Sequence, residues 1–369
     1  MERIWLDHNA GTAVDPRVLE QFVAFESLGL ANPASVHARG RAAKAVLEDA
    51  RARTASALGV RDDEVVFVSG GSEGNNIAVR GLGMRDLPVL LAPLEHPSVL
   101  EPAMVRGLVP LAVDAEGRAV VVAPTQRVGL IALVHAQSEI GTLQPIVTAR
   151  ALATSLGVPL HVDAAQTLGR VSLEEAIALA DTLSLATHKA GGLRGQSVLV
   201  VRRRVRDSLA PLAHGGGQEQ DLRPGTPSPA LCAATALAIE LATRETETRA
   251  GAMRAARAAF LAELGTSHCS VLTREPALPN TVLLLLEVRD GRTIVPALDM
   301  LGVEASQGSA CSSGASLPPR VLLEMGFAAN RARCAVRFSF AATTTIAAAR
   351  LAAERVRAFL TRENLRGDG

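Results

Sequence analysis

The chain has 369 residues, 48% of them hydrophobic and 20% charged, with 38 basic against 37 acidic side chains. That composition specifies a large buried core at a length consistent with two or three domains. A net charge of +1 argues against a dominant nucleic-acid footprint or a polybasic membrane surface. Four cysteines (Cys232, Cys269, Cys311 and Cys334), none in a CxxC pair and none clustered with histidine at zinc spacing, make neither a disulfide framework nor a metal site. The opening residues, MERIWLDHNAG, hold no apolar signal core, and the longest aliphatic run, VLLLL at 282–286, is too short to span a bilayer. The expected location is cytoplasmic, with no membrane and no direct nucleic-acid partner.

Short β-type runs alternate with Ala/Arg/Glu-rich helical stretches. Helix 38–58 leads into the strand EVVFV (64–68), followed by PVLLA (88–92), GLIALVHA (129–136), helix 147–156, PLHVDA (159–164), helix 172–179, DTLSLA (181–186) and SVLVVRR (197–203). Most of these strands are continuous apolar runs, the pattern of strands buried on both faces of a largely parallel sheet. The expected class is α/β, with a central sheet flanked by helices. Residues 230–264 read as one long Ala-rich helical stretch. Beyond it lies a smaller α+β region, with strands in NTVLLLLEV, GVEAS and CAVRFSF and helices at 292–301, 318–325 and 345–361.

Four strand-end motifs carry chemistry. VSGGSEGNN (68–76) is a strand-to-helix turn whose N–H groups and helix dipole suit a phosphate. PLEHPSV (93–99) places His96 just before a proline at the first helical position, where an imidazole can stack on a flat ring. HVDAAQ (161–166) puts Asp163 at a strand end, where open α/β sheets contact ligands, although a helix N-cap would also explain it. SLATHKAGG (184–192) sets Lys189 between a strand and glycines; alone such a lysine snorkels to solvent, but in a dry pocket it can form a Schiff base. A fifth motif, GSACSSG (308–314), holds Cys311 among small residues, with nothing that looks like core.

In this order the motifs resemble fold-type I enzymes of the class V aminotransferase superfamily that use pyridoxal 5′-phosphate (PLP), and among them the cysteine desulfurases of the NifS/IscS kind. The resemblance covers nearly the whole chain. It includes LDHNAGTAVDPRV, NPASVHARGR (32–41), SEIGTLQP (138–145), HGGGQEQDLRPGT (214–226), LPNT (278–281), SQGSACSSG (306–314) and VRFSF (336–340). The interval from Cys311 to Arg337 matches the family's long-loop subgroup. The resemblance implies a large PLP-binding domain over 12–245. It implies a small domain from 1–11 and 246–369, carrying the cysteine loop at about 305–318.

The resemblance also assigns roles. Lys189 is the Schiff-base lysine, Cys311 the nucleophile, and His96 the residue that stacks on the cofactor and moves protons. Asp163 and Gln166 hold the pyridine side, with Ser138 nearby. Gly71, Ser72, Thr187 and His188 belong to the phosphate side. Thr226 reaches the phosphate in the partner subunit of a homodimer. Arg337 clamps the substrate carboxylate, with Asn32 close to it. The implied reaction converts L-cysteine to L-alanine, leaves a persulfide on Cys311, and passes its sulfur to an acceptor protein. A selenocysteine lyase, another class V enzyme such as an aminotransferase, and a sulfur-relay subunit with a weakened site are the alternatives. The chain departs from the pattern at Ser138 (usually Asn), Ala186 (usually Ser), Ser72 (usually Thr) and FAATTT (340–345), which lacks the usual Arg. The lost contacts imply weaker PLP binding than is usual.

Overall fold

The computed structural model describes residues 2–308 and 317–365. A seven-stranded sheet runs through its larger part in the spatial order Val65–Val68, Ser197–Val201, Thr182–Ser184, Leu160–Asp163, Leu130–Val134, Val89–Leu91, Leu108–Pro110. All neighbours are parallel except at Ser197–Val201, which is antiparallel to both strands beside it. Every residue of Val65–Val68, Leu130–Val134, Leu160–Asp163 and Ser197–Val201 is buried, which accounts for their unbroken apolar sequences.

The helices start where the sequence supplies caps. Asp15 accepts from the Arg17 N–H ahead of Pro16–Glu26, and His37 Nδ1 accepts from the Gly40 N–H ahead of Ala38–Leu58. Ser228 caps Pro229–Arg244. Ala38–Leu58 stops at Gly59, whose φ of 65° is the left-handed conformation glycine adopts without strain.

The expected continuous helix over 230–264 is instead two, Pro229–Arg244 and Thr246–Leu264, broken at Glu245 (φ −98°, ψ 9°). No proline or glycine causes the break. The Glu245 carboxylate is taken by Arg17 at 2.8 Å and Arg249 at 2.9 Å, so a tertiary charge contact overrides local helix propensity.

A three-stranded antiparallel sheet, Cys269–Val271, Thr281–Leu286 and Ala335–Ser339, forms the second layer. Its core joins Phe260, Phe338, Phe340, Val356 and Leu360 to Ile4 and Leu6 from the chain's start. Ile4–Trp5 pairs parallel with Val303–Glu304, and Asp7 bridges Ser339. The N-terminal segment therefore packs with the C-terminal region before entering the larger sheet. Among the described residues, no helix is long and apolar enough to cross a membrane, and no cluster of three His, Cys, Asp or Glu could hold a metal ion.

Candidate active site

Five strands of the large sheet end at one cleft. Gly71 and Ser72 follow Val65–Val68, His96 follows Val89–Leu91, Ser138 follows Leu130–Val134, Asp163 closes Leu160–Asp163, and Ala186, His188 and Lys189 follow Thr182–Ser184. Gln166 and Arg337 also line it, the latter from the small sheet. Carboxyl ends of parallel strands at a change in strand order are where open α/β sheets bind ligands.

Asp163 is 3% exposed. Its Oδ1 accepts from the Ala165 N–H at 2.9 Å and its Oδ2 from Asn75 Nδ2 at 2.8 Å. Asn75 in turn contacts His161 Nε2 at 3.0 Å through Oδ1. The turn contact is the capping role open to Asp163 from sequence, yet the same carboxylate borders the cleft. Two hydrogen bonds leave it capacity for a further, protonated partner.

His96 caps the helix Pro97–Arg106. Its Nδ1 accepts from the Ser98 N–H at 3.1 Å and lies 2.8 Å from Ser98 Oγ. A backbone N–H only donates, so the neutral ring carries its proton on Nε2. Burial lowers the His96 pKa, with Lys189 acting in the same direction. His188 is driven down to about 4, by burial first and then by Lys189, so both imidazoles are neutral near pH 7.

Arg337 is 2% exposed. Its Nη1 donates to the Ser138 carbonyl at 3.0 Å and its Nη2 to Asp7, while its buried Nε has no hydrogen-bond partner among the described residues. Its backbone pairs with Ser306 in both directions, at 2.8 and 3.2 Å. On the far side of the 309–316 segment, the Val321 N–H donates to Glu139 Oε2 at 3.1 Å. A Cβ on Gly308 would stand 3.3 Å from the Leu317 carbonyl oxygen and 3.5 Å from Glu139 Oε1. Both described flanks of that segment are thus fixed beside Arg337 and Glu139. Cys311 itself lies outside the described residues.

Three expected site residues sit elsewhere. The Thr187 hydroxyl donates to the Gln196 carbonyl at 2.7 Å, and its N–H to Ser197 Oγ. Thr187 is fully buried and does not border the cleft, because its side chain turns under the sheet end. Asn32 is not beside Arg337; it shares a separate surface depression with Thr226. The Asn32 Oδ1 accepts from the Ala34 N–H, closing its own turn. Cys232, Cys269 and Cys334 are all buried.

Sequence reasoning passed over several residues that shape the cleft. Asn9 Nδ2 donates to the Ser138 carbonyl and to Thr281 Oγ1, while its Oδ1 accepts from Arg170 and Asn280. Glu95, 2% exposed, uses one oxygen to accept the Val134 N–H at 2.8 Å. Its other oxygen has no partner among the described residues, and burial pushes its carboxyl well above the usual range. Asn9, Asn75 and Glu95 stood inside quoted motifs, but only three-dimensional pairing distinguishes them from ordinary turn residues.

The donor set fits a flat, anionic, nitrogen-containing ring with a reactive carbonyl. It offers an amine, a strand-end carboxylate, a side-chain amide, a Gly-Ser helix start and a histidine wall. Gly71 leaves no room for a side chain against the protein itself: a Cβ there would lie 3.3 Å from the Leu185 carbonyl oxygen and 3.7 Å from Ala186 Cβ.

The chain is similar to known proteins along most of its length. A cysteine desulfurase IscS of Dictyoglomus turgidum is 32% identical over 358 residues, spanning 93% of this chain and 90% of its own. A solved NifS-like protein superposes with a TM-score of 0.87 at 29% identity, covering 98% of this chain and 100% of that one. SspA in complex with cysteine gives a TM-score of 0.78 at 28% identity, covering 91% and 98%. The family model described as aminotransferase class-V matches residues 4–349, and the chain therefore belongs to the class-V aminotransferase family.

Proposed function

We propose that the chain is a PLP-dependent cysteine desulfurase. It converts L-cysteine to L-alanine and holds the sulfur as a persulfide on Cys311 for an acceptor protein. One observation carries this reading. Lys189, Asp163, Gln166, His96 and Arg337, far apart in sequence, border one cleft, and the flanks of the Cys311 segment are pinned to its wall. The desulfurase relatives at 32% identity support the same chemistry.

The residues present suit the cofactor. Lys189 supplies the amine for its Schiff base, Asp163 the acidic partner for its ring nitrogen, and Gln166 an N–H for its ring oxygen. Gly71, Ser72 and His188 stand at the phosphate end. PLP supplies the electron sink that carbon–sulfur cleavage needs.

The chain's own groups do the rest. Arg337 binds the substrate carboxylate with its charged fork, while Ser138 stands on the same wall. His96 borders the cleft and holds its proton at Nε2. The Cys311 thiolate attacks the substrate sulfur, forming the S–S bond as the substrate's C–S bond breaks. The bonding pair stays with the substrate carbon, which takes up a proton and leaves in L-alanine. Thr226 and Asn32 serve a different contact, the cleft of a second protomer in a homodimer. Their depression is formed partly by residues 25–32, next to the exposed apolar side chains Leu19, Val23 and Leu28.

The test is alanine production from L-cysteine in the presence of PLP. Cys311→Ala is expected to keep the visible band of bound cofactor and lose alanine formation. Turnover retained without Cys311 would contradict the desulfurase reading and favour an aminotransferase.

A further inference from the structure

Behind Gln166 lies Arg170, 3% exposed. Its Nη1 donates to Gln166 Oε1 at 2.6 Å, to Asn9 Oδ1 at 2.9 Å and to the Gln166 carbonyl at 3.2 Å; its Nη2 donates to the carbonyls of His8 at 2.9 Å and Lys189 at 3.2 Å. All these acceptors are neutral, and no carboxylate pairs with it among the described residues. Burial and the charge of Arg337 lower Arg170 to about 9, so it remains a cation near pH 7.

A buried guanidinium without a counter-ion is an expensive feature for a fold to keep. Its effect on Gln166 is specific. A guanidinium can only donate, so the Gln166 atom facing it must be Oε1. The opposite end agrees: Nε2 donates to the Asn9 carbonyl at 3.1 Å. Flipping the amide would set donor against donor at Arg170 and oxygen against oxygen at Asn9. The amide therefore has one orientation, and a second N–H on Nε2 is left over at a residue that borders the cleft.

We infer that Arg170 is a positioning residue: it locks the Gln166 amide with an N–H toward the cofactor's ring oxygen and ties that lock to the Lys189 backbone. The inference rests on the PLP reading above. A locked donor backed by a positive charge favours the ring oxygen in its ionised form. It therefore lowers the pH at which the chromophore on Lys189 gives up its proton.

The test uses the full chain loaded with PLP and reads two quantities: the PLP dissociation constant and the pH midpoint of the visible absorbance. Arg170→Gln is expected to raise the midpoint by about one pH unit and weaken PLP about tenfold, the scale of one hydrogen bond to a charged group. Arg170→Lys, which keeps the charge without the fork, is expected to fall between. In a Gln166→Ala background, neither change should move the midpoint further. Should Arg170→Gln fail to fold, Arg170→Lys decides alone. Variants that titrate like a parent with a normal cofactor band would overturn the inference and leave the desulfurase reading standing. So would equal shifts with and without Gln166. A parent protein that acquires no visible band would overturn both.

Discussion

At the scale of single residues, burial holds several histidines far below their usual range. His161 is fully buried between Asn75 and Thr182, and burial pushes it down to about 4. His8 and His135 are lowered to about 4 as well. The unfolded chain takes up these protons near pH 6.5, the folded chain only near 4. The contribution of each ring is therefore complete above pH 6.5, declines through the interval and is gone below 4. At pH 5 one such ring costs about 2 kcal/mol. The urea midpoint is thus expected to fall between pH 7 and pH 5, and His161→Gln to flatten that fall; an unchanged parent midpoint would contradict it.

The departures from the family pattern also act at this scale. Ala186 packs against the Gly71 turn, and Ser138 borders the cleft with a short side chain. Restoring the longer or hydroxylated groups in Ala186→Ser, Ser138→Asn should tighten PLP by about tenfold if one or two hydrogen bonds return. A dissociation constant equal to the parent's would show that the present residues already suffice.

At the scale of elements, strand identity was legible because burial on both faces leaves an unbroken apolar run, as in Leu130–Val134. The helix from residue 38 was legible in the sequence, and its cap is local, the His37 ring accepting from the Gly40 N–H; the helix Pro16–Glu26 behind Asp15 was not foreseen. The break at Glu245 was not legible. Its partners Arg17 and Arg249 come from two different helices, and together they hold the Glu245 carboxyl down at about 2. The orientation of Thr187 was not legible for a similar reason. The motif gives its position in the chain, but which way its hydroxyl points depends on Gln196 across the strand end.

The loop that leads to Thr226 shows the same dependence on distant partners. Glu219, 7% exposed and in a left-handed conformation (φ 48°), accepts from Arg51 at 2.7 Å and from the Phe67 N–H at 2.7 Å. Removing one partner leaves a buried charge, so Glu219→Ala should destabilise by about 3–5 kcal/mol. Chemical denaturation checks this; a loss under 1 kcal/mol, the size of a surface pair, would show that the pair is not effectively buried.

At the scale of the molecule, the N-terminal segment joins the two sheets through the cleft. Asp7 meets Arg337 of the small sheet, while Asn9 meets Ser138 and Arg170 of the large one. The segment was visible only as a family-like run, LDHNAG, because its partners lie more than a hundred residues away. The proposed homodimer, in which Thr226 would serve the opposite cleft, has a direct consequence. Mixing Lys189→Ala and Thr226→Ala protomers should rebuild one complete cleft per mixed dimer and raise activity above the sum of the separate variants. Strictly additive activity would argue that each protomer works alone.

The decisive measurement follows the sulfur. Purified protein loaded with PLP is incubated with L-cysteine and digested, and the Cys311 peptide is weighed by mass spectrometry while alanine is counted. The expected result is at least one added sulfur atom on that peptide, with one alanine formed per sulfur taken up. Alanine formed with no sulfur on Cys311, or sulfur found only on Cys232, Cys269 or Cys334, would contradict it.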